Sequence, residues 1–150
     1  MKKVLKITGL VIVLLIILSI TACAVSIPLV NDYSAKQIEK EIKELPLPEN
    51  TEFVESLSRA GKFTGNGNGM QYFGAMLIKS DLSLDELDEY YSAYRENEWD
   101  YVVKVQDSRE IEYYGILFST DVDPSENYYI VYSWGSGVSS FFEEFDLRGH

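Results

Sequence analysis

Twenty-four consecutive residues without a charge, opening at Ile7 and closing at Val30, constrain this chain more than any other feature. The run reads ITGLVIVLLIILSITACAVSIPLV, and the residues before it carry Lys2, Lys3 and Lys6. A helix rising about 1.5 Å per residue covers about 36 Å over that length, enough to cross a hydrocarbon core of about 30 Å. Lysines ahead of the run and Asp32 after it orient such a helix with its N-terminus in the cytoplasm, by the positive-inside bias. The expectation is a single-pass protein of the cell membrane. Residues 1–30 form the anchor, the lipid bilayer is the partner of the whole run, and the C-terminal domain lies outside.

Two other readings share these residues. Ile20-Thr21-Ala22-Cys23 resembles a bacterial lipobox, in which a peptidase cuts before a Cys that is lipidated; the alternative is then a lipoprotein anchored through Cys23. Ala22-Cys23-Ala24 also has the small-x-small form of an ordinary secretory cleavage site. Against both cuts, apolar residues continue through Val25, Ile27, Leu29 and Val30, where an exported chain normally begins with polar linker. The uncleaved helix is the favoured reading, and all three export the same domain.

Residues 31–150 remain for a water-facing fold, with ten basic against 24 acidic residues and a formal charge of −14. A field of that sign repels phosphate backbones, which argues against nucleic acid as a partner. One Cys and one His exclude an internal disulfide and a Cys/His zinc cluster. A Ser or Cys nucleophile needs a neighbouring base, and the single His is the last residue, His150.

Asn31-Asp32 suits a helix cap, and Ile38, Ile42 and Leu45 then recur at i, i+4 and i+7, with Glu39 and Lys43 as a supporting pair. Leu45-Pro46-Leu47-Pro48 stops that helix. Residues 31–48 therefore read as a juxtamembrane helix and proline linker, either a stalk or a helix laid across a sheet, and residues 49–150 as an extracytoplasmic domain. Strand patterns cover residues 51–58, 70–80, 99–105, 110–119 and 128–134, the second apolar on both faces as a central strand requires. The tract Gly65-Asn66-Gly67-Asn68-Gly69 marks a turn between the first two. Ser83-Leu84-Asp85-Glu86 matches the S-x-x-E capping box, with Leu82 and Leu87 as its hydrophobic staple, and predicts a helix over residues 84–96. Short connections imply antiparallel neighbours, so the expected fold class is α+β, about five mostly antiparallel strands with one packed helix. Beyond Gly137, Phe141, Phe142 and Phe145 are expected to fold a short amphipathic tail onto the core.

The segments PLPENTEFVESLS, GKFTGNGNGMQYFGAMLIKSDLS and LDEYYSAYRENEW resemble those of a family of small bacterial membrane-anchored proteins of unknown function, with GNGNGMQYFGA (residues 65–75) the most specific part. The resemblance covers nearly the whole chain. It implies an N-terminal anchor and a compact exported domain, and nothing about a reaction.

Tyr113 and Tyr114, then Tyr128, Tyr129 and Tyr132, fall on adjacent expected strands, where alternation sends some of them outward. Exposed tyrosines beside acidic groups suit a binding surface for protein or glycan; the competing account is that amphipathic rings cover a thin sheet. Asp121, Asp123, Glu126 and Asn127 place hard oxygen ligands on one loop, the chemistry of weak calcium binding. Their spacing lacks the glycine and the distant Glu of an EF-hand, so an acidic turn is the default reading. The glycine tract has neither the Lys-Ser/Thr ending nor the following helix of a phosphate loop. No residue is assigned a catalytic, cofactor-binding or metal role. The sequence points to a non-enzymatic binding or accessory module for an extracytoplasmic protein or wall component. The alternative is a carboxylate-based hydrolase of envelope glycans, which needs two facing carboxylates about 5 to 9 Å apart.

Overall fold

A computed structural model describes residues 2–63, 69–112 and 114–150; Tyr113 and most of the glycine-asparagine tract lie outside the described residues. In chain order the elements are α1 (Lys2–Glu44), β1 (Thr51–Gly61), β2 (Gln71–Ser80), α2 (Leu84–Ser92), β3 (Val102–Val105), β4 (Glu110–Ile111), β5 (Ile116–Leu117), β6 (Tyr128–Gly135) and α3 (Ser140–Glu144), followed by a 3-10 turn, Leu147–Gly149. The class is α+β, as expected. Four strands form an antiparallel sheet in the order β1-β2-β6-β3, and β4 pairs with β5 in a separate hairpin.

α1 is a single helix of 43 residues, about 65 Å long at about 1.5 Å per residue. Residues 6–26 are exposed all round, and this part is long and apolar enough to cross a membrane. Three hydroxyls in it fold back on their own helix: Ser19 donates to the Leu15 carbonyl, Thr21 to Ile17 and Ser26 to Cys23. From Ile27 onward one face is buried, through Asn31, Ser34, Ala35, Ile38, Glu39 and Ile42, the stripe of a helix laid on a core.

The expected boundary between an anchor helix and a juxtamembrane helix is thus corrected. α1 passes through Asn31 and Asp32 without a break, because both side chains have tertiary partners in place of a capping role: Asn31 bonds Tyr72 and the Phe142 carbonyl, and Asp32 pairs with Arg148. Of the two alternatives for residues 31–44, the helix lies across the sheet. Pro28 sits inside it, at the cost of one intrahelical hydrogen bond.

One face of the sheet packs on α1 and α2, through Tyr72, Met76 and Ile78 of β2 and Tyr129 and Val131 of β6, against Ala35, Ile38, Ile42, Leu87 and Tyr91. The opposite face, through Phe73, Ala75, Leu77, Ile130 and Tyr132, meets Ile111, Ile116 and Phe118 from the hairpin side. β2 is central, between β1 and β6, as its two apolar faces require.

Three expectations are adjusted. Residues 110–119 are not one strand but a hairpin, folded where Gly115 adopts a φ of +62° that favours glycine. The third strand starts at Val102 rather than Trp99, because Tyr101 takes a φ of +50° and its N–H is held by the Ser133 hydroxyl. α2 begins with both arms of the expected capping box in place but ends at Ser92, where the chain turns into a loop held by Arg95, which pairs with Asp88 and donates to the Asp100 carbonyl.

At Gly74 the helix and the sheet meet backbone to backbone. A Cβ there would lie 2.6 Å from the Glu39 backbone nitrogen, so α1 rests directly on the backbone of β2. Gly74→Ala must push the helix off the sheet. The expected loss is about 1–3 kcal/mol, as for overpacking a filled core, read as a lower midpoint in urea or thermal melts of the full chain. An unchanged midpoint would mean that the helix does not lie this close.

Candidate functional site

The end of the sheet where α1 enters the domain gathers a connected set of buried polar groups. Asn31 donates through Nδ2 to Asp146 Oδ2 and to the Phe142 carbonyl, both at 2.8 Å, and its Oδ1 accepts from the Tyr72 hydroxyl at 2.8 Å. Asp146 also accepts from Arg148, through Nη2 at 2.7 Å and through the backbone N–H at 3.0 Å. Arg148 continues outward to Asp32 Oδ1 at 2.6 Å and to the Pro28 carbonyl at 3.1 Å. The hydrogen bonds from Arg148 dominate and hold the Asp146 carboxyl down at about 2. Burial, with the Glu143 and Asp146 carboxylates nearby, pushes the Tyr72 phenol up to about 12, so it stays a donor.

A second buried carboxylate lies further along α1. Glu39 is 3% exposed and accepts from Lys36 Nζ at 2.7 Å, Ser56 Oγ at 2.7 Å and Ser58 Oγ at 2.8 Å. Burial alone would push its carboxyl up, but the bonds from Lys36, Ser56 and Ser58 outweigh that and leave it lowered. A proton-donating catalytic carboxyl needs the opposite shift. Glu39 and Asp146 are saturated with donors and held ionised, which suits them to fastening α1 rather than to acid catalysis.

Beside this network lies an open groove of about 410 Å³, lined by Met70, Gln71, Tyr72, Trp99, Tyr114, Trp134 and Gly135. Its walls are aromatic: the Trp134 ring lies 4.9 Å from Phe73 and 5.2 Å, edge-on, from Tyr114, centroid to centroid. Trp99 is 60% exposed and rides on a loop built by local hydrogen bonds. Its N–H donates to Asn97 Oδ1, and Asp100 Oδ2 accepts from the N–H groups of Glu96 and Asn97. An indole held out over a groove can stack on a flat apolar face of a ligand, whether sugar ring or side chain.

The tyrosines considered as a binding surface are divided between the two faces of the sheet. Tyr129 is buried against the helices, Tyr132 is buried on the opposite face, and Tyr128 and Tyr114 are half-buried beside Tyr132. Strand alternation sent neighbours to opposite faces, as it must, but both faces are covered. Tyr113 lies outside the described residues. In the acidic loop, Asp121 pairs with Arg109, Glu126 with Lys79, and Asp123 Oδ1 accepts from Ser125. Among the described residues no group of three or more His, Cys, Asp or Glu side chains is placed to hold a metal ion. Cys23 is exposed on α1.

Sequence reasoning missed Trp99, Trp134, Asn31, Asp146 and Arg148. The signal for Trp99 was present, an indole in the polar stretch Glu96-Asn97-Glu98; nothing in the pattern marks a tail Asp and Arg as the partners of an Asn more than a hundred residues earlier. Comparison of the chain with family models, with curated proteins and with solved structures finds no match.

The Asp146 carboxyl is lower in the fold than its unfolded value near 3.9, so its contribution to stability is complete above about pH 4 and is lost as pH falls toward about 2. Glu39 acts in the same direction. The Asp146 share is about 2 kcal/mol at neutral pH. Asp146→Asn is therefore expected to lower stability at pH 7 and to flatten the acid limb of a stability profile measured by denaturant titration from pH 7 to 2. An acid limb as steep as that of the unaltered chain would show that the carboxylate is not held this way.

Proposed function

We propose that the chain is a membrane-anchored, extracytoplasmic binding module rather than an enzyme, with α1 crossing the bilayer and the aromatic groove of Trp99, Tyr114 and Trp134 taking a wall glycan or a protein segment. The observation that carries the reading is the continuity of α1. Its exposed apolar part, with no charge from Ile7 to Val30, runs into the core of the domain as one helix. In water such a surface costs about 1.5–3 kcal/mol per large aliphatic side chain. In a bilayer its back-bonded hydroxyls are satisfied as the hydrocarbon requires.

Lys2, Lys3 and Lys6 keep the N-terminus cytoplasmic in this reading. The groove lies at the end of the sheet where α1 enters, since Tyr72 both lines it and bonds Asn31. The ligand is accordingly one that reaches the outer membrane surface. A cut before Cys23 would leave only residues 23–26 ahead of the buried Ile27, and a lipidated Cys23 would hold the same domain on the same surface.

Intact mass spectrometry with carbonate extraction separates these cases. Retention of Met1 or Lys2, resistance to extraction and no diacylglycerol are expected, with Cys23→Ala changing none of them. A chain beginning at lipidated Cys23 would replace the spanning helix with the lipoprotein form, and a soluble chain beginning at Val25 would remove the anchor altogether.

Binding at the groove is read from tryptophan emission as soluble wall-glycan fragments or extended peptides are added to the full chain in nanodiscs. Trp99→Ala is expected to weaken binding at least tenfold, about 1.4 kcal/mol or more, with an unchanged melting midpoint. Equal affinity in the variant would move the ligand elsewhere.

A further inference from the structure

The C-terminal tail docks by its backbone, its polar groups and the half-buried Phe142, and leaves its other large apolar side chains outside. Leu147 is 88% exposed, Val138 64%, Phe145 60% and Phe141 49%. The Phe141 and Phe145 rings lie 5.0 Å apart, centroid to centroid, covering each other rather than the core. The expected tail does fold back onto the domain, but of its phenylalanines only Phe142 is half-buried while Phe141 and Phe145 stay exposed. Asn31 and Asp146 hold α3 and the turn after it in place without them.

The tail is pinned to α1 at two levels: Arg148 on the Pro28 carbonyl, and the Phe142 carbonyl and Asp146 on Asn31. Counted from Ile7, a hydrocarbon core of about 30 Å takes about 20 helical residues and ends near position 26. The headgroup layer beyond it, roughly 5–7 Å in each leaflet, spans the next four or five helical residues, roughly positions 27–31. Both pins fall in that layer. On α1 itself Leu29 is 62% exposed while Ile27 is 7%, so the domain covers one side of the helix down to this level and leaves the other to its surroundings.

We propose that the tail is a second membrane contact, with Phe141, Phe145 and Leu147 entering the boundary between headgroups and acyl chains beside α1. The inference rests on the reading of α1 as a membrane-spanning helix. Lipid is the occupant because the patch continues an apolar surface that already faces lipid in that reading, at the depth where aromatic and aliphatic side chains of interfacial helices sit. The charges at this level are compensated or placed for headgroup depth. Arg148 is paired with Asp32 and Asp146, Glu143 accepts from the Gly137 N–H, and the exposed Glu144 keeps α3 from sinking further. A domain carrying −14 gains nothing from anionic lipid, so the contact is apolar and works on zwitterionic membranes. Two contacts, one spanning and one interfacial, fix how the domain stands on the membrane and which way the Trp99 groove opens.

The test uses the full chain in phosphatidylcholine vesicles, with Cys23→Ser to remove the native thiol and Leu147→Cys to carry an environment-sensitive fluorophore. A position this exposed tolerates the change without unfolding, and Ser125→Cys in the distal acidic turn is the control. A blue-shifted emission at position 147, quenched several-fold more by lipids spin-labelled near the headgroup than the control, is expected. A water-like, unquenched signal in a chain that still resists carbonate extraction overturns the tail contact and leaves the anchor standing. A blue shift without lipid quenching overturns it in favour of a second copy of the chain covering the patch. Loss of the chain from the vesicles on carbonate extraction removes the anchor reading and the tail contact with it.

Discussion

The domain depends on α1 lying against β2 so closely that position 74 has no room for a side chain. Dispersion and burial both rise steeply with such proximity, and the approach is made possible by small groups on both partners, Gly74 and Gly135 on the strands and Ala35 on the helix. Ile38 passes over both glycines and, with Ile42, fills the space beyond them. Remove residues 27–44 and one face of the sheet loses its largest cover, because α2 spans only Leu84–Ser92. The helix that leads into the domain is also what completes its core.

An apolar stripe of small and aliphatic residues does not by itself choose one position along a strand. The polar contacts do. Glu39 must meet Ser56 and Ser58 of β1, and Asn31 must meet Tyr72, Phe142 and Asp146 at once. A shift of one helical residue would leave buried carboxylates and an amide without partners, at about 1–3 kcal/mol or more for each. These groups therefore define the position of the helix as well as holding it, because the correct register is the one that satisfies all of them. The orphaned hydroxyl of Tyr91, buried with no partner among the described residues, shows what the alternative looks like.

Local rules made much of this fold legible. The capping box at Ser83 and Glu86 formed as written, β2 is central because its two faces are apolar, and the proline pair after Leu45 ends α1 near where expected. Legibility failed where long-range contacts override local preference. Asn31-Asp32 has the chemistry of a cap, yet its side chains were claimed by residues more than a hundred positions away, and the helix ran on. The tyrosine surface failed for a related reason: period-two alternation correctly separates neighbours, but it does not say that the β4–β5 hairpin covers the second face. Of the candidate site, only residue types were visible in advance; the groove needed Trp99, Tyr114 and Trp134 to be brought together from three separate segments.

Continuity of α1 carries a mechanical consequence. A domain joined to a membrane helix through a flexible linker samples many orientations, whereas one that shares its core with that helix moves with it as a unit. With α1 in a bilayer, as proposed above, tilting its apolar segment would tilt the sheet, and a force on the domain would reach the membrane through Asn31, Arg148 and the backbone of α1 rather than be lost in a hinge. The Asn31, Asp146 and Arg148 network sits where α1 passes from its exposed apolar part into the core of the domain. Its hydrogen bonds resist both rotation and sliding of the helix.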